Sequence, residues 1–309
     1  MENIYFGEIL KNRREELNMN QDELCEGVLD RTALSRIENG KAECRKYVAE
    51  VLLERLNLPM DFYYASYSKT GVEQLKIKNK INDAIRMREY EKLPALIRKG
   101  ESLKADNIIF TQFLIETTAI YCLCTENNVD EARKLLVEAI SILHKGFSLD
   151  KIEKYHFAKE DIIILNALAN TYCDEKDYAM AIHIFNSLLK SVERKSVSAD
   201  DEEYIRIIIM LKYNLSRALG RADNYKECLA VTEEAIELCK RHGRPTYLAE
   251  LLINKGYALC SIHGRKEEGI LVLKDALVLN RLVGFEDNVK TIYRQAKDLF
   301  GIDLRKFKA

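Results

Sequence analysis

The chain has 309 residues, enough for one to three domains with ample apolar core. Its 48 Lys and Arg against 49 Asp and Glu leave a formal charge of −1, so no global positive field recruits nucleic acid and any such contact needs a local patch. Hydrophobic residues at 47% and charged residues at 31% match an ordinary soluble protein. Eight cysteines are scattered along helical patterns without a CxxC pair, which excludes a dense secreted disulfide framework and predicts reduced core thiols. The amino terminus lacks the apolar run of a signal peptide, and runs such as 205–211 are too short to span a bilayer. A cytoplasmic protein with no membrane partner is expected. Three prolines and 13 glycines in 309 residues favour long helices.

Residues 1–60 carry short helical stripes with tight joints. The first places Phe6, Ile9, Leu10 and Leu17 on one face; the second, from Gln21, buries Leu24, Cys25 and Val28. The third runs from about Arg31 to Asn39, buries Leu34 and Ile37, and stops at Asn39-Gly40. The fourth buries Val48, Val51, Leu52 and Leu56, and Leu58-Pro59 closes the unit. Residues 61–75, opening on a stretch rich in Tyr and Ser, are expected to form a joint. From there to residue 309 the pattern is helix after helix.

One fragment in that region carries a repeat. Asn166-Ala-Leu-Ala-Asn170-Thr-Tyr172 is followed by Asp177-Tyr178, Ala181, Phe185 and Leu189. Small Ala169 and Ala181 stand twelve residues apart with a turn between them, the tetratricopeptide pattern. Two helices cross closely only where small side chains face each other. Weaker copies follow at Tyr213–Ser216 with Cys228 and Ala235, and at Gly256–Leu259 with Gly269, Leu273 and Ala276. Earlier copies pair Ala119 and Tyr121 with Ala132 and Leu136, and Ile81 and Ala84 with Tyr90 and Leu93. Turns near residues 90, 129, 178, 225 and 265 lie about 40–50 residues apart, longer than the usual period of about 34. The predicted fold is all-α: a five-helix amino-terminal domain, then a solenoid of about five helix pairs and a capping helix over 286–300.

The stretch Gln21–Gly40, above all Leu34-Ser-Arg-Ile-Glu-Asn-Gly40, resembles the phage-repressor-like helix-turn-helix family. Asp30 is placed to cap the third helix. With Leu34 and Ile37 buried, Arg31, Thr32, Ser35 and Arg36 project outward or from the helix tip. The resemblance implies base reading in the major groove at Arg31, Thr32 and Arg36, where an arginine can grip guanine O6 and N7. Asn20, Gln21, Lys41, Arg45 and Lys46 are candidates for phosphate contacts, which fix register. It further implies a structural ion pair between Arg14 and Glu38. Residues 1–60 hold nine Lys and Arg against twelve Asp and Glu, a formal −3. Binding driven by phosphate attraction alone would need a basic domain, so affinity is expected to need a homodimer and a matched site of two half-sites about one DNA turn apart.

Tetratricopeptide stacks bind ligands on a concave face lined by the first helix of each pair. With Leu168, Ala169 and Tyr172 packing inward, Asn166 and Asn170 are expected on the groove side, and Asn214, Arg217 and Asn254 fall in comparable places. An asparagine amide can donate to and accept from a peptide backbone. A helix-turn-helix followed by about five such repeats is similar to the RRNPP group of quorum-sensing regulators, over nearly the whole chain. That resemblance implies a transcriptional regulator controlled by a short signalling peptide and acting as a homodimer on a palindromic operator. It also implies that Asn166 and Asn214 hold the peptide backbone, that Arg86 and Arg88 meet an acidic group, and that Tyr64 contributes from the joint. Glu250 and Asn288 stand where the family pattern carries other side chains, so the peptide's sequence is not transferable.

No enzyme site emerges. The five histidines are isolated, no phosphate loop or nucleophile motif is present, and no cofactor or metal is expected. Two alternatives remain: a scaffold that sequesters a regulatory protein, which the intact third helix disfavours, and a DNA-binding regulator without a peptide ligand.

Overall fold

Caps and breakers fix the helix ends, and apolar stripes fix which faces meet. A computed structural model of the protein describes residues 4–104, 107–194 and 201–305, and helices are the only regular secondary structure among them. The chain divides into two compact units at Asn128/Val129.

The first unit opens with α1 (Ile4–Glu16), α2 (Gln21–Cys25), α3 (Arg31–Glu38), α4 (Lys46–Arg55) and α5 (Asp61–Ala65). Phe6, Leu10, Leu24, Leu34, Leu52, Leu53 and Leu56 make one buried cluster. The turn after α3 is set by Gly40 at φ +67, whose N–H donates to Ile37 O while Lys41 N–H donates to Arg36 O. Gly7 lets α1 touch α3: a Cβ there would stand 2.0 Å from Ile37 O. Residues 61–65, expected within a joint, are helical and belong to this core. Tyr63 meets Phe6 edge-to-face at 5.2 Å and donates its hydroxyl to Cys44 O at 3.1 Å. Phe62 and Tyr63 thus serve as packing groups, while Tyr64 is exposed.

The unit continues with α6 (Lys69–Arg86), α7 (Leu93–Glu101) and α8 (Ile108–Tyr121), which share a cluster of Ile77, Ile81, Ala84, Leu93, Phe110 and Leu114. Pro94 sits in the first turn of α7, where its missing N–H leaves no bond unmade. A π-helical turn over Cys122–Glu126 extends α8. That gives 19 residues, Ile108–Glu126, long and apolar enough by length and composition to cross a membrane, which corrects the expectation that every apolar run is too short. The segment carries buried Gln112 and Thr117, and one third of it is covered within the protein.

The second unit holds α9 (Val129–Leu143), α10 (Lys159–Asp174), α11 (Tyr178–Glu193), α12 (Glu202–Arg221), α13 (Tyr225–Arg241), α14 (Pro245–Ser261), α15 (Lys266–Leu282) and α16 (Glu286–Phe300). From α6 onward the described residues hold eleven successive α-helices, the number that five helix pairs and a single last helix require. Ala169 and Ala181, the small residues of the best repeat, are fully buried where α10 meets α11. At the α14–α15 crossing, glycine replaces alanine on both helices. A Cβ on Gly269 would lie 2.7 Å from Cys260 N and 2.8 Å from Gly256 O, so the two backbones nearly touch. Seven of the eight cysteines are buried, Cys124 is exposed, and all are free thiols. Burial pushes Cys44 up to about 12.

The crossing makes a prediction. Gly269→Ala must push two backbones apart, costing about 1–3 kcal/mol. Chemical denaturation should show a lower midpoint with secondary structure retained; an unchanged midpoint would mean the crossing is looser than described.

Candidate functional site

The amino-terminal site is built on two capped helices. Asn20 caps α2 by accepting from Glu23 N–H at 2.9 Å, and Glu23 returns the bond to Asn20 N–H at 2.6 Å. Asp30 caps α3 by accepting from Ala33 N–H at 2.8 Å. Beneath them, Arg14 grips Glu38 with two charge-assisted bonds, Nε to Oε1 at 2.7 Å and Nη2 to Oε2 at 3.0 Å. Arg14 Nη1 also donates to Met19 O at 2.9 Å, and Gln21 Nε2 donates to Glu38 Oε2 at 2.7 Å. Arg14 is 9% exposed and Glu38 5%, and the bond to Glu38 holds the guanidinium pKa above its ordinary value. This network joins α1, α2 and α3 at one point, and the Arg14–Glu38 pair that the helix-turn-helix resemblance implies is present. Gln21, expected on a phosphate, has its amide committed to Glu38.

Above the network, Arg31, Thr32 and Arg36 are exposed and Ser35 is half-buried. Arg31 lies 3.5 Å from Asp22, with both side chains about two-thirds exposed, so the pair is weak and the arginine is available. Lys41, Arg45 and Lys46 are exposed on the turn after α3 and at the start of α4. Lys46 Nζ stands 6.0 Å from the ring centre of Tyr64, so two residues expected at different sites are neighbours. Arg86 closes α6, exposed and paired with Asp83 at 2.7 Å; Arg88 follows in a left-handed conformation, also exposed.

The carboxyl-terminal site lies in the second unit. A cavity of about 580 Å³ opens where residues of α12, α14 and α16 come together, within the usual size range of ligand pockets. Arg217, Glu250, Asn254 and Asn288, all named from the sequence, line it. Asn254 Nδ2 donates to Ser216 Oγ at 2.8 Å, and Asn288 Nδ2 donates to Asn280 Oδ1 at 2.9 Å. Asn166 and Asn214, expected to face the groove, are 8% and 6% exposed and do not line this cavity. Asn214 Nδ2 donates to Asn166 Oδ1 at 2.8 Å, so the amides satisfy each other in the seam between α10 and α12. Asn170 accepts from Arg217 Nη2 at 2.8 Å and so positions that guanidinium.

Sequence reasoning missed Tyr213, Arg221, Tyr257 and Gln295, which also line the cavity. Tyr213 and Tyr257 lie inside recognised repeat copies and pass for packing residues there. Burial raises both phenols, so both hydroxyls remain protonated donors at neutral pH. Among the described residues, no group of three or more metal-ligating side chains comes together.

Residues 78–300 match the model of the RNPP family C-terminal domain. The chain belongs to the RNPP family. Residues 10–63 of this RNPP protein match a helix-turn-helix model, which covers the network and the exposed α3 face. No curated protein sequence matches it at a significant level. Among solved structures it is similar to Bacillus thuringiensis PlcR in complex with the peptide PapR7 and DNA. Identity is 18% and the TM-score 0.67, with 94% of this chain and 99% of that one covered. It is also similar to the Streptococcus dysgalactiae SHP pheromone receptor Rgg2, at 14% identity and TM-score 0.58, covering 95% and 99%. The apo competence regulator ComR from Streptococcus vestibularis matches at 15% identity and TM-score 0.53, covering 98% and 100%. At such identities the likeness establishes the fold.

The buried network can be tested alone. Glu38→Ala leaves the Arg14 charge buried without its partner and should cost about 3–5 kcal/mol. Glu16→Ala, which removes an exposed partner of Arg13, should cost under about 0.5 kcal/mol. Equal losses in denaturant titrations of the two variants would rule out a special role for the buried pair.

Proposed function

We propose that the protein is a sequence-specific DNA-binding transcriptional regulator controlled by a short signalling peptide. The α3 face carrying Arg31, Thr32 and Arg36 reads bases in the major groove, and Lys41, Arg45 and Lys46 meet phosphates. The peptide occupies the cavity between α12, α14 and α16, where Arg217, Asn254 and Asn288 offer polar groups to its backbone and side chains. Tyr64, Arg86 and Arg88 remain proposed peptide contacts on resemblance alone, and Asn166 and Asn214 brace the seam unless the peptide opens their mutual bond.

One observation carries the reading. A braced, double-capped helix with exposed arginines stands in a chain whose later residues match the RNPP C-terminal domain and line a ligand-sized cavity that carries several polar side chains. PlcR, of similar fold, is solved with both a peptide and DNA, which supports the same two partners here.

The formal −3 charge of residues 1–60 further shapes the proposal. A single head has too little positive charge to hold DNA by phosphate attraction. The working form is a cytoplasmic homodimer on a palindromic operator, its half-sites about one DNA turn apart. The peptide controls the equilibrium by binding one state of the protein more tightly than another.

Selection of operators from random duplexes, followed by gel shifts across a salt series, tests this. Arg36→Ala should weaken the selected site by about 1–3 kcal/mol and relax preference at one base pair of each half-site. Lys46→Ala should weaken all sequences alike and reduce the salt slope by about 1. Failure to enrich any motif would instead favour the scaffold reading.

A further inference from the structure

The stretch that joins α3 to α4 bears three of the proposed phosphate contacts, Lys41, Arg45 and Lys46, yet little of its own backbone holds it. Among the described residues, no N–H from residue 42 to residue 47 donates to a backbone carbonyl; the bonds resume with Val48 and Ala49, which both donate to Arg45 O. Arg45 is the N-cap of α4 and its side chain makes no capping bond, whereas Asn20 and Asp30 cap α2 and α3. Few backbone bonds leave a segment free to fluctuate. A cation carried on such a segment loses that freedom when it meets a phosphate, and the loss subtracts from affinity.

Two groups anchor the stretch from outside. The Cys44 side chain is 6% exposed and sits in the apolar cluster around Phe6 and Leu10. The Cys44 carbonyl, directly before Arg45, accepts from the Tyr63 hydroxyl of α5 at 3.1 Å. Tyr63 is itself fixed, with its ring edge-to-face on Phe6 and its oxygen accepting from the Tyr67 hydroxyl at 3.3 Å. The bond from Tyr67, together with burial, pushes the Tyr63 phenol up to about 12, so it remains a neutral donor at physiological pH.

We infer that Tyr63 is a positioning residue for DNA binding: by clasping the Cys44 carbonyl it pre-sets the stretch that carries Arg45 and Lys46 onto the phosphates. The inference rests on the DNA reading above and deepens it, since a residue expected in a joint becomes part of the phosphate grip. Base reading belongs to α3, which Arg14 and Glu38 brace separately. The contribution of Tyr63 therefore falls on affinity for any duplex and not on the choice of base.

The test is gel-shift titration of the full-length protein with the operator duplex enriched by the selection above, and with copies carrying single base changes. Tyr63→Phe keeps the ring against Phe6 and removes only the hydroxyl. It should weaken every duplex alike by about two- to tenfold, the worth of one hydrogen bond. Tyr67→Phe, which leaves the bond to Cys44 in place, should weaken them less. In an Arg45→Ala/Lys46→Ala background, Tyr63→Phe should change affinity by less than about twofold, because the cations it positions are gone. Thermal melts establish that each variant is folded. Should Tyr63→Phe not fold, Tyr67→Phe compared in the two backgrounds decides on the same terms.

A folded Tyr63→Phe with wild-type affinity, a change in base preference, or an equal loss with and without Arg45 and Lys46 overturns the positioning role while DNA binding stands. A wild-type protein that holds no enriched duplex overturns the DNA reading itself, and the inference with it.

Discussion

Polar side chains buried in a helical solenoid find partners on a neighbouring helix or on the preceding turn of their own. In the second unit side-chain pairs supply the partners between helices. Asn166 bonds Asn214 and Asn170 bonds Arg217 between α10 and α12, and Ser216 bonds Asn254 between α12 and α14. Each pair ties one helix to its neighbour at a fixed height, where apolar packing alone would tolerate sliding. The pairs also orient what they hold. Arg217 owes its position to Asn170, and Asn288 owes its own to Asn280. The groups that give the cavity its character are thus set by neighbours on adjacent helices.

The first unit applies the same logic with charge. A carboxylate buried at the end of α3 would be costly alone. Arg14 from α1 and Gln21 from α2 both bond to Glu38 of α3, so three helices meet at one carboxylate. The outward residues of α3 then need no packing role, and their polarity is free to serve recognition. Tyr63 extends that core to α5, and Tyr64 beside it stands near Lys46. Phosphate-binding candidates and the following helices are therefore linked by a short aromatic stretch within the same unit.

Much of this was legible in the sequence. Asp30 before α3, Gly40 after it, and Ala169 and Ala181 twelve residues apart each name a local geometry that few other residues permit, and each is found where expected. The number of described helices after α5 followed from the same spacing. Other features depend on partners far away in sequence. Helical spacing assigns Asn166 to a face but cannot say whether that face meets solvent or another amide. Tyrosines at 213 and 257 look like packing residues until a third helix, α16, closes the cavity around them. The aromatic stretch at 61–65 looked like a joint because its core contact, Phe6, lies some fifty-five residues earlier. Ile108–Glu126 exceeded the expected apolar length because a π turn continues α8 past Tyr121.

The central claim is that two separate surfaces recognise two ligands: the α3 face a duplex, and the α12–α14–α16 cavity a peptide. Amide hydrogen exchange on the full-length protein reads both surfaces at once. With a heptapeptide selected from a random pool on the full-length protein, the account predicts new protection within 202–221, 245–261 and 286–300; with a selected operator duplex, within 21–46. Peptide protection absent from all three cavity helices, or a duplex footprint that spares α3, would contradict it.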